Sequence, residues 1–403
     1  MVNRTHFRCL SCNYVIGCRT QFGYGKEQVY TFPCPNCGVN LGFTILIDQE
    51  NISWAYEALD NLKPEDFNTE PSYLLNFSSC FLVEKKNLTD LPLTPFLSNL
   101  TLVSDSDAYF KVRNIRHHAA QEFWPCLDRA NTHRQRGDFD KFMSEFRSIK
   151  AHEFIPTFET GSLREIIAQG YEMFGSIFST SNEQERKLIE SRIDIAVESN
   201  AQGVNDLKNF FVLEDRAESI FNQLRALDRQ WVDLYSFFEP LEIIDWLRDP
   251  KSLDSGDFTL SEKPIERLKT FYTDGFETLG RIFVIAACYE GICTGAGVGV
   301  PSRSRLILPQ EFEQMPNGAK PNLISSMPFW PIFVDVFDSK LRNGIGHHSW
   351  RYDASLDIIF YQNHSPSRGK EDFKISFLNF CILTRKLYHC VTVSAKYLHS
   401  IWV

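Results

Sequence analysis

The stretch Leu341-Arg342-Asn343-Gly344-Ile345-Gly346-His347-His348-Ser349-Trp350-Arg351-Tyr352-Asp353 places an arginine, an asparagine and a histidine pair between a predicted helix and a predicted hairpin. Before it, Phe333, Phe337 and Leu341 recur at i, i+4, the spacing of a helix with one apolar stripe. After it, Trp350 to Tyr361 alternates, with Leu356, Ile358 and Phe360 on one face, which predicts a short β-hairpin. A last helix is predicted from about Phe373 to Ile401. Upstream, Pro264 suits a helix start, and Leu268, Phe271, Phe276, Leu279 and Phe283 supply the stripe of a helix ending near Cys293. Gly291 to Gly299 then breaks it. Residues 263–403 therefore read as helix, glycine loop, helix, hairpin, helix.

Arg342-Asn343-Gly-Ile-Gly-His347 has the parts of a metal-free ribonuclease site. RNA carries its own nucleophile, the 2′-hydroxyl. An enzyme need only deprotonate it, stabilise the charged phosphorane and protonate the leaving 5′-oxygen. Histidine suits the proton transfers because it titrates near neutrality. Arginine suits the phosphate because its planar fork makes paired charge-assisted hydrogen bonds. Five residues on a straight helix rotate by about 140°, which separates Arg342 from His347; Gly344 and Gly346 weaken the helix there and let the chain turn. Lys340 to Tyr352 holds Lys340, Arg342, Arg351 and two histidines with no acid. Arg303 and Arg305 add two cations after the glycine loop, and together with Arg351 they are candidate RNA contacts. By composition alone, the stronger reading is a structural polar cluster at a helix end.

The text LRNGIGHHSWRYD, on a helix before a short β excursion and a final helix, resembles HEPN-domain ribonucleases, over roughly residues 263–403. That family carries Arg-x(4–6)-His, usually with Asn, Asp or His directly after Arg; Arg342, Asn343 and His347 match those positions. The resemblance implies a small helical bundle that forms a homodimer, with two Arg…His motifs in one composite cleft. It implies RNA cleavage without a catalytic metal, in bacterial anti-phage defence, abortive infection or as a toxin. Arg342 would hold the scissile phosphate, His347 would transfer protons, Asn343 would orient either group, and His348 is a substitute for His347. RNA is the implied partner, whether tRNA or phage or host mRNA, with a phage-derived trigger or an antitoxin as regulator. Some family members are catalytically dead and act as interaction modules. The alternative reading is therefore a non-catalytic nucleic-acid- or protein-binding module.

Arg113-Asn114-Ile115-Arg116-His117-His118 repeats the lettering, and Arg113 and His118 also have four residues between them. Some RNA-guided effectors hold two such motifs in one chain. Residues Leu88 to Ser106, however, carry prolines and no evident bundle helix. A second catalytic motif at Arg113, Asn114 and His118, an RNA contact, and a structural or surface role remain three readings.

At the other end, Cys9-x2-Cys12 and Cys34-x2-Cys37 form two knuckles. Each Cys-x2-Cys puts two thiolates on one side of a tight turn, and two such turns complete a tetrahedron. Pro35 stiffens the second turn and Gly38 permits positive φ after it. The spacing predicts one structural Zn²⁺ in a ribbon resembling zinc ribbons; four protein ligands leave no position for a reactive water. Arg4, Arg8, Arg19 and Lys26 make the region locally basic.

Across the 403 residues, apolar side chains make up 43% and charged ones 23%, with a formal net charge of −9. This is globular composition, and the acidity argues against broad coating of nucleic acid. Eleven cysteines at this length are not a disulfide framework, since five lie in the first 37 residues. The longest apolar stretch, Phe283 to Pro301, is interrupted by Glu290 and glycines, so no membrane is expected. With no signal-like apolar run at the start, the expected location is cytoplasmic. The predicted architecture is mainly α: a small β zinc ribbon (1–48), a middle domain that begins mixed and becomes helical (49–262) and a HEPN-like helical bundle with a short β-hairpin (263–403). The best helical text of the middle runs from Asn182 to Arg248, and Arg248 to Pro264 reads as a linker.

Overall fold

A computed structural model describes residues 2–23, 25–48, 53–85, 93–148, 162–178, 183–212, 215–253, 256–302, 305–365 and 369–403. The chain is mainly α, with several small sheets. It divides into two compact units, each discontinuous in sequence. The first comprises 1–113, 233–268 and 347–382; the second comprises 114–232, 269–346 and 383–403.

The first unit opens with β1 (Val2–Cys9), β2 (Val15–Gln21), β3 (Glu27–Pro33), β4 (Asn40–Asp48), β5 (Ser53–Asp60), β6 (Leu62–Glu65) and β7 (Tyr73–Ser78). One sheet has the order β6-β1-β2-β7, antiparallel except for the β2–β7 pair; the other has the order β3-β4-β5. Period-two alternation decides the faces: in β3, Gln28, Tyr30 and Phe32 are buried while Glu27 and Val29 are exposed. The buried faces share an aromatic core, with Phe7 on Phe43 at 5.2 Å, Tyr30 on Phe43 at 5.0 Å and Phe32 on Phe77 at 4.8 Å between centroids. The β region thus continues past residue 48, because β1, β2 and β4 need β5, β6 and β7 to pair their edges.

Pro95–Leu102 is a helix, capped by the Thr94 hydroxyl, where no helix was expected. The stretch after Arg248 is more than a linker. It holds β9 (Phe258–Thr259), paired with β8 (Val83–Glu84). The expected hairpin is a three-stranded meander, Trp350–Asp353, Ile358–Ser365 and Gly369–Ser376. Among its described strand residues Ile359 and Tyr361 are buried, the face opposite to the one predicted, while Leu356 sits exposed in the turn. The third strand consumes Phe373, so the last helix starts at Phe377 and runs to Trp402.

The second unit is helical: Trp124–Gln135, Phe139–Ser148, Leu163–Phe178, Glu183–Ser199, Ala201–Val212 and the larger parts of Arg216–Phe238, Ile265–Cys293 and Phe377–Trp402. Stacked rings close its core, Phe221 on Trp402 at 4.0 Å and Trp231 on Tyr388 at 4.2 Å. Asp228 is buried there and accepts from the Tyr388 hydroxyl at 2.8 Å; burial lifts its pKa to about 8. Glu290, the charge that interrupts the apolar stretch, is buried and takes both Nε and Nη2 of Arg192, at 2.7 and 2.5 Å. Among the described residues no helix is long and apolar enough to cross a membrane.

Helix Ile265–Cys293 ends as its glycines require, with Gly295 and Gly297 at positive φ. The helix expected through Phe333 and Phe337 is shorter than the i, i+4 series suggests. Residues 333–336 are turns, and the helix is Ser339–Gly346. Phe333 and Phe337 are still buried, against Phe283 at 4.9 Å and Phe276 at 4.0 Å. Apolar spacing there reports a common neighbour, the stripe of the long helix, and not a shared helix.

Candidate functional sites

The cysteine knuckles are built by the turns that leave β1 and β3. Cys9 ends β1 and Cys34 directly follows β3, both buried, and each carbonyl accepts from the residue four on, Asn13 N at 2.9 Å and Gly38 N at 2.9 Å. Those two residues take matching positive φ, 62° and 74°. The sequence reading anticipated Gly38; Asn13, which tolerates that region next best, is its counterpart. The four sulfurs lie within 4.8 Å of one another, with Cys9–Cys37 at 3.9 Å and Cys12–Cys34 at 3.6 Å. A tetrahedral ion with metal–sulfur bonds of about 2.3 Å needs edges of about 3.8 Å, so the cluster can hold one metal ion. The Asn36 side chain and the Tyr14 backbone hold Cys12 down at about 6, whereas burial pushes Cys34 up to about 12. Cys18 is a buried bystander on β2.

The helix Ser339–Gly346 presents Arg342 and Asn343 to a polar cleft of about 370 Å³ within the second unit. Glu277 and Arg281 of the long helix, with Asn317 and Lys320 of the following loop, line the same cleft. Arg342 Nε donates to Glu277 Oε1 at 2.8 Å, with Nη2 at 2.6 Å from the same oxygen; the two side chains are 33% and 40% exposed. Glu277 also accepts from Asn317 Nδ2 at 2.6 Å. Lys320 is buried and donates to Gly280 O at 2.8 Å and Asn317 Oδ1 at 2.7 Å; burial lowers its pKa to about 8, leaving it charged at neutral pH. Sequence reasoning missed Glu277, Arg281, Asn317 and Lys320. One signal was legible: Gly280 interrupts a helix stripe, and a Cβ there would stand 2.3 Å from Asn317. The glycine is what admits the loop to the cleft wall.

The helix stops at Gly346. His347 and His348 follow in a turn, both exposed, with His348 at φ 54°. They are the first residues of the last segment of the first unit, while Arg342 and Asn343 belong to the second. The break in the helix falls where Gly344 and Gly346 weaken it.

Arg113 departs from the expectation of a second catalytic or RNA-contacting copy. It is buried in the first unit, with Nε 2.6 Å from Glu239 Oε1, its guanidinium 4.6 Å above the Phe81 ring and the Tyr109 hydroxyl at 3.5 Å. Burial pushes the Glu239 carboxyl up against the pull of Arg113, but at 2.6 Å the pair is ionised, and Arg113 stays charged. A phosphate in solvent cannot reach it. Asn114 and His118 are exposed, and His118 faces Glu122 one turn on, at 3.1 Å. Of the other basic candidates, Arg305 is exposed and pairs with Glu311, Arg351 is exposed beside Asp353 and over the Phe360 ring, and Arg303 lies outside the described residues.

Set against known proteins, the chain matches no family model, no curated protein and no solved structure.

Proposed function

We propose that this protein is a metal-independent endoribonuclease of the HEPN type, with Arg342 holding the scissile phosphate, His347 transferring protons, and Asn343 orienting one or the other. The observation that carries this reading is the cleft. Arg342 and Asn343 line it with Arg281 and the buried Lys320, against the carboxylates Glu277 and Glu313, and the exposed His347 follows directly where the helix ends. The Arg342–Glu277 pair does not block the role. A pair this exposed contributes about 0–1 kcal/mol, whereas a phosphodiester offers the guanidinium a bidentate, charge-assisted partner. In the reaction the 2′-oxygen attacks phosphorus as its proton leaves to a base, and the phosphorus–5′-oxygen bond breaks as that oxygen takes up a proton. The products are a 2′,3′-cyclic phosphate and a 5′-hydroxyl. One subunit presents one such motif, and a homodimer would bring two together. We assign the four-cysteine cluster to structural zinc, since thiolates at this spacing suit that ion best, and read the ribbon as a recognition head for RNA or for a phage-derived trigger in the cytoplasm.

The experiment is cleavage of total RNA by purified protein in magnesium-free buffer with EDTA. His347→Ala is expected to lower the rate by about 10²- to 10⁴-fold, as loss of a proton-transfer group does; undiminished cleavage by that variant sinks the assignment. Elemental analysis should find one zinc per chain, lost in Cys34→Ser. A second reading, a binding module without catalysis, is favoured by one fact: Arg342 already has a carboxylate partner in its own unit. It predicts RNA bound and released intact by the wild-type protein.

A further inference from the structure

The first unit holds a second cavity, about 220 Å³, beside the second cysteine knuckle. It is lined by Phe32-Pro33 and Pro35, on either side of the knuckle cysteine Cys34, and by the turn Ala354–Asp357 of the meander. Its surface is mostly apolar, from Phe32, Leu75, Phe77, Val83 and Leu260. Leu356, more than half exposed, stands at this cavity.

At one end lies a charge cluster that the nuclease reading does not use. Asp357, buried at φ 55°, takes Lys263 Nζ at 2.8 Å, Lys85 Nζ at 3.1 Å, the Thr259 hydroxyl at 2.7 Å and the Tyr352 hydroxyl at 3.0 Å. Two lysines therefore face one carboxylate. Lys263 is enclosed, while Lys85 is about one-third exposed. Glu84, also on the wall, accepts from Ser98 at 3.2 Å. Asn76 adds a side-chain carbonyl that is buried and has no hydrogen-bond partner among the described residues; its amide is already used on Leu93 O at 3.1 Å. An unpartnered buried acceptor costs about 1–3 kcal/mol unless something donates to it.

We infer that this cavity binds a small ring-bearing anion, its ring against Phe32 and Phe77 and its charge on Lys85. The volume is below the roughly 300–1,000 Å³ of pockets that enclose drug-sized ligands, which limits the enclosed part of the occupant to one ring system and excludes a peptide. The apolar walls need a ring or a comparably compact apolar body. Lys85 is the cation a ligand can reach; of the two wall carboxylates, Asp357 is shared by both lysines and Glu84 is engaged by Ser98. Asn76 selects a ligand with a hydrogen-bond donor. Cys34 itself lies between the wall residues Pro33 and Pro35. The inference does not depend on RNA cleavage elsewhere in the chain.

Two sources fit that chemistry, a nucleotide and an aromatic carboxylate. The test uses full-length, metal-loaded protein and ligand-observed NMR with titration calorimetry. The probes are 2′,3′-cyclic AMP for the first source, 4-aminobenzoate for the second, and inorganic phosphate as the ring-free control. One of the two ring-bearing probes should bind with a Kd below about 1 mM, and Lys85→Met should weaken it about tenfold or more. Lys85→Met leaves the Asp357–Lys263 pair intact, so the variant is expected to fold; Leu356→Ser provides a second, surface variant that weakens binding without touching a charge. The proposal is overturned if neither ring-bearing probe binds at that concentration, if phosphate alone binds equally well, or if Lys85→Met binds as the wild type does.

Discussion

Arg113-Asn114 and Arg342-Asn343 share the same letters, each is followed by histidine, and each arginine holds a glutamate, yet they occupy opposite environments. The Arg113–Glu239 side chains are each 3% exposed, with an aromatic ring against the guanidinium. The Arg342–Glu277 side chains are 33% and 40% exposed at the edge of an open cleft. The first pair is part of a core; the second is an exchangeable contact. Lettering identifies a chemical kit, and burial decides whether the kit faces substrate or holds the fold.

The comparison breaks if the two pairs respond alike to mutation. Glu239→Ala leaves Arg113 buried and uncompensated, and should lower the unfolding free energy by about 3–5 kcal/mol in denaturant titrations. Replacing both partners by apolar residues of similar size should recover most of that loss, because the desolvation penalty goes with the charges.

The buried Asp357 pair sharpens the comparison through pH. Burial would raise this carboxyl, but Lys263 and the Thr259 hydroxyl hold it at about 2, below its unfolded value of about 3.9. A depressed carboxylate contributes stability that is complete above about pH 4 and disappears as pH falls through about 2. The expected contribution is about 2–3 kcal/mol. The stability difference between the wild type and Asp357→Asn should therefore shrink as pH falls from about 4 to about 2; a constant difference would show that the lysines do not hold the charged form.

At the exposed pair the expected effects are small. Glu277→Ala should change stability by less than about 1 kcal/mol and less still at high salt, while tightening RNA binding if Arg342 meets phosphate. A loss of several kcal/mol would mean the pair is structural after all. Smallest of all, Gly346→Ala should stabilise the helix by at most about 1 kcal/mol. Its Cβ would stand 3.4 Å from Arg342 Nη1, so any fall in cleavage beyond that of a neutral change would report on the guanidinium's position.

Local rules made part of this legible. The glycine stop after Cys293 and the positive φ at Gly38 follow from backbone preference within a few residues. The hairpin face was misread because alternation gives the period of a strand but not which side meets the core, and Leu356 falls in the turn. The series Phe333, Phe337, Leu341 was misread because stacking on Phe276 and Phe283 rewards the same spacing in a turn. The cleft residues Glu277 and Lys320 were invisible because each is an ordinary helix-face or loop charge until the chain folds.

By itself, the sequence determined the four-cysteine cluster, a mainly α chain and the end of the long helix, because ligand spacing, hydrophobic period and glycine punctuation act over short distances. Tertiary structure alone decided which Arg-Asn copy is buried. Glu239 lies 126 residues from Arg113 and Glu277 lies 65 from Arg342, and the desolvation that separates a core ion pair from a surface one depends on everything packed around it.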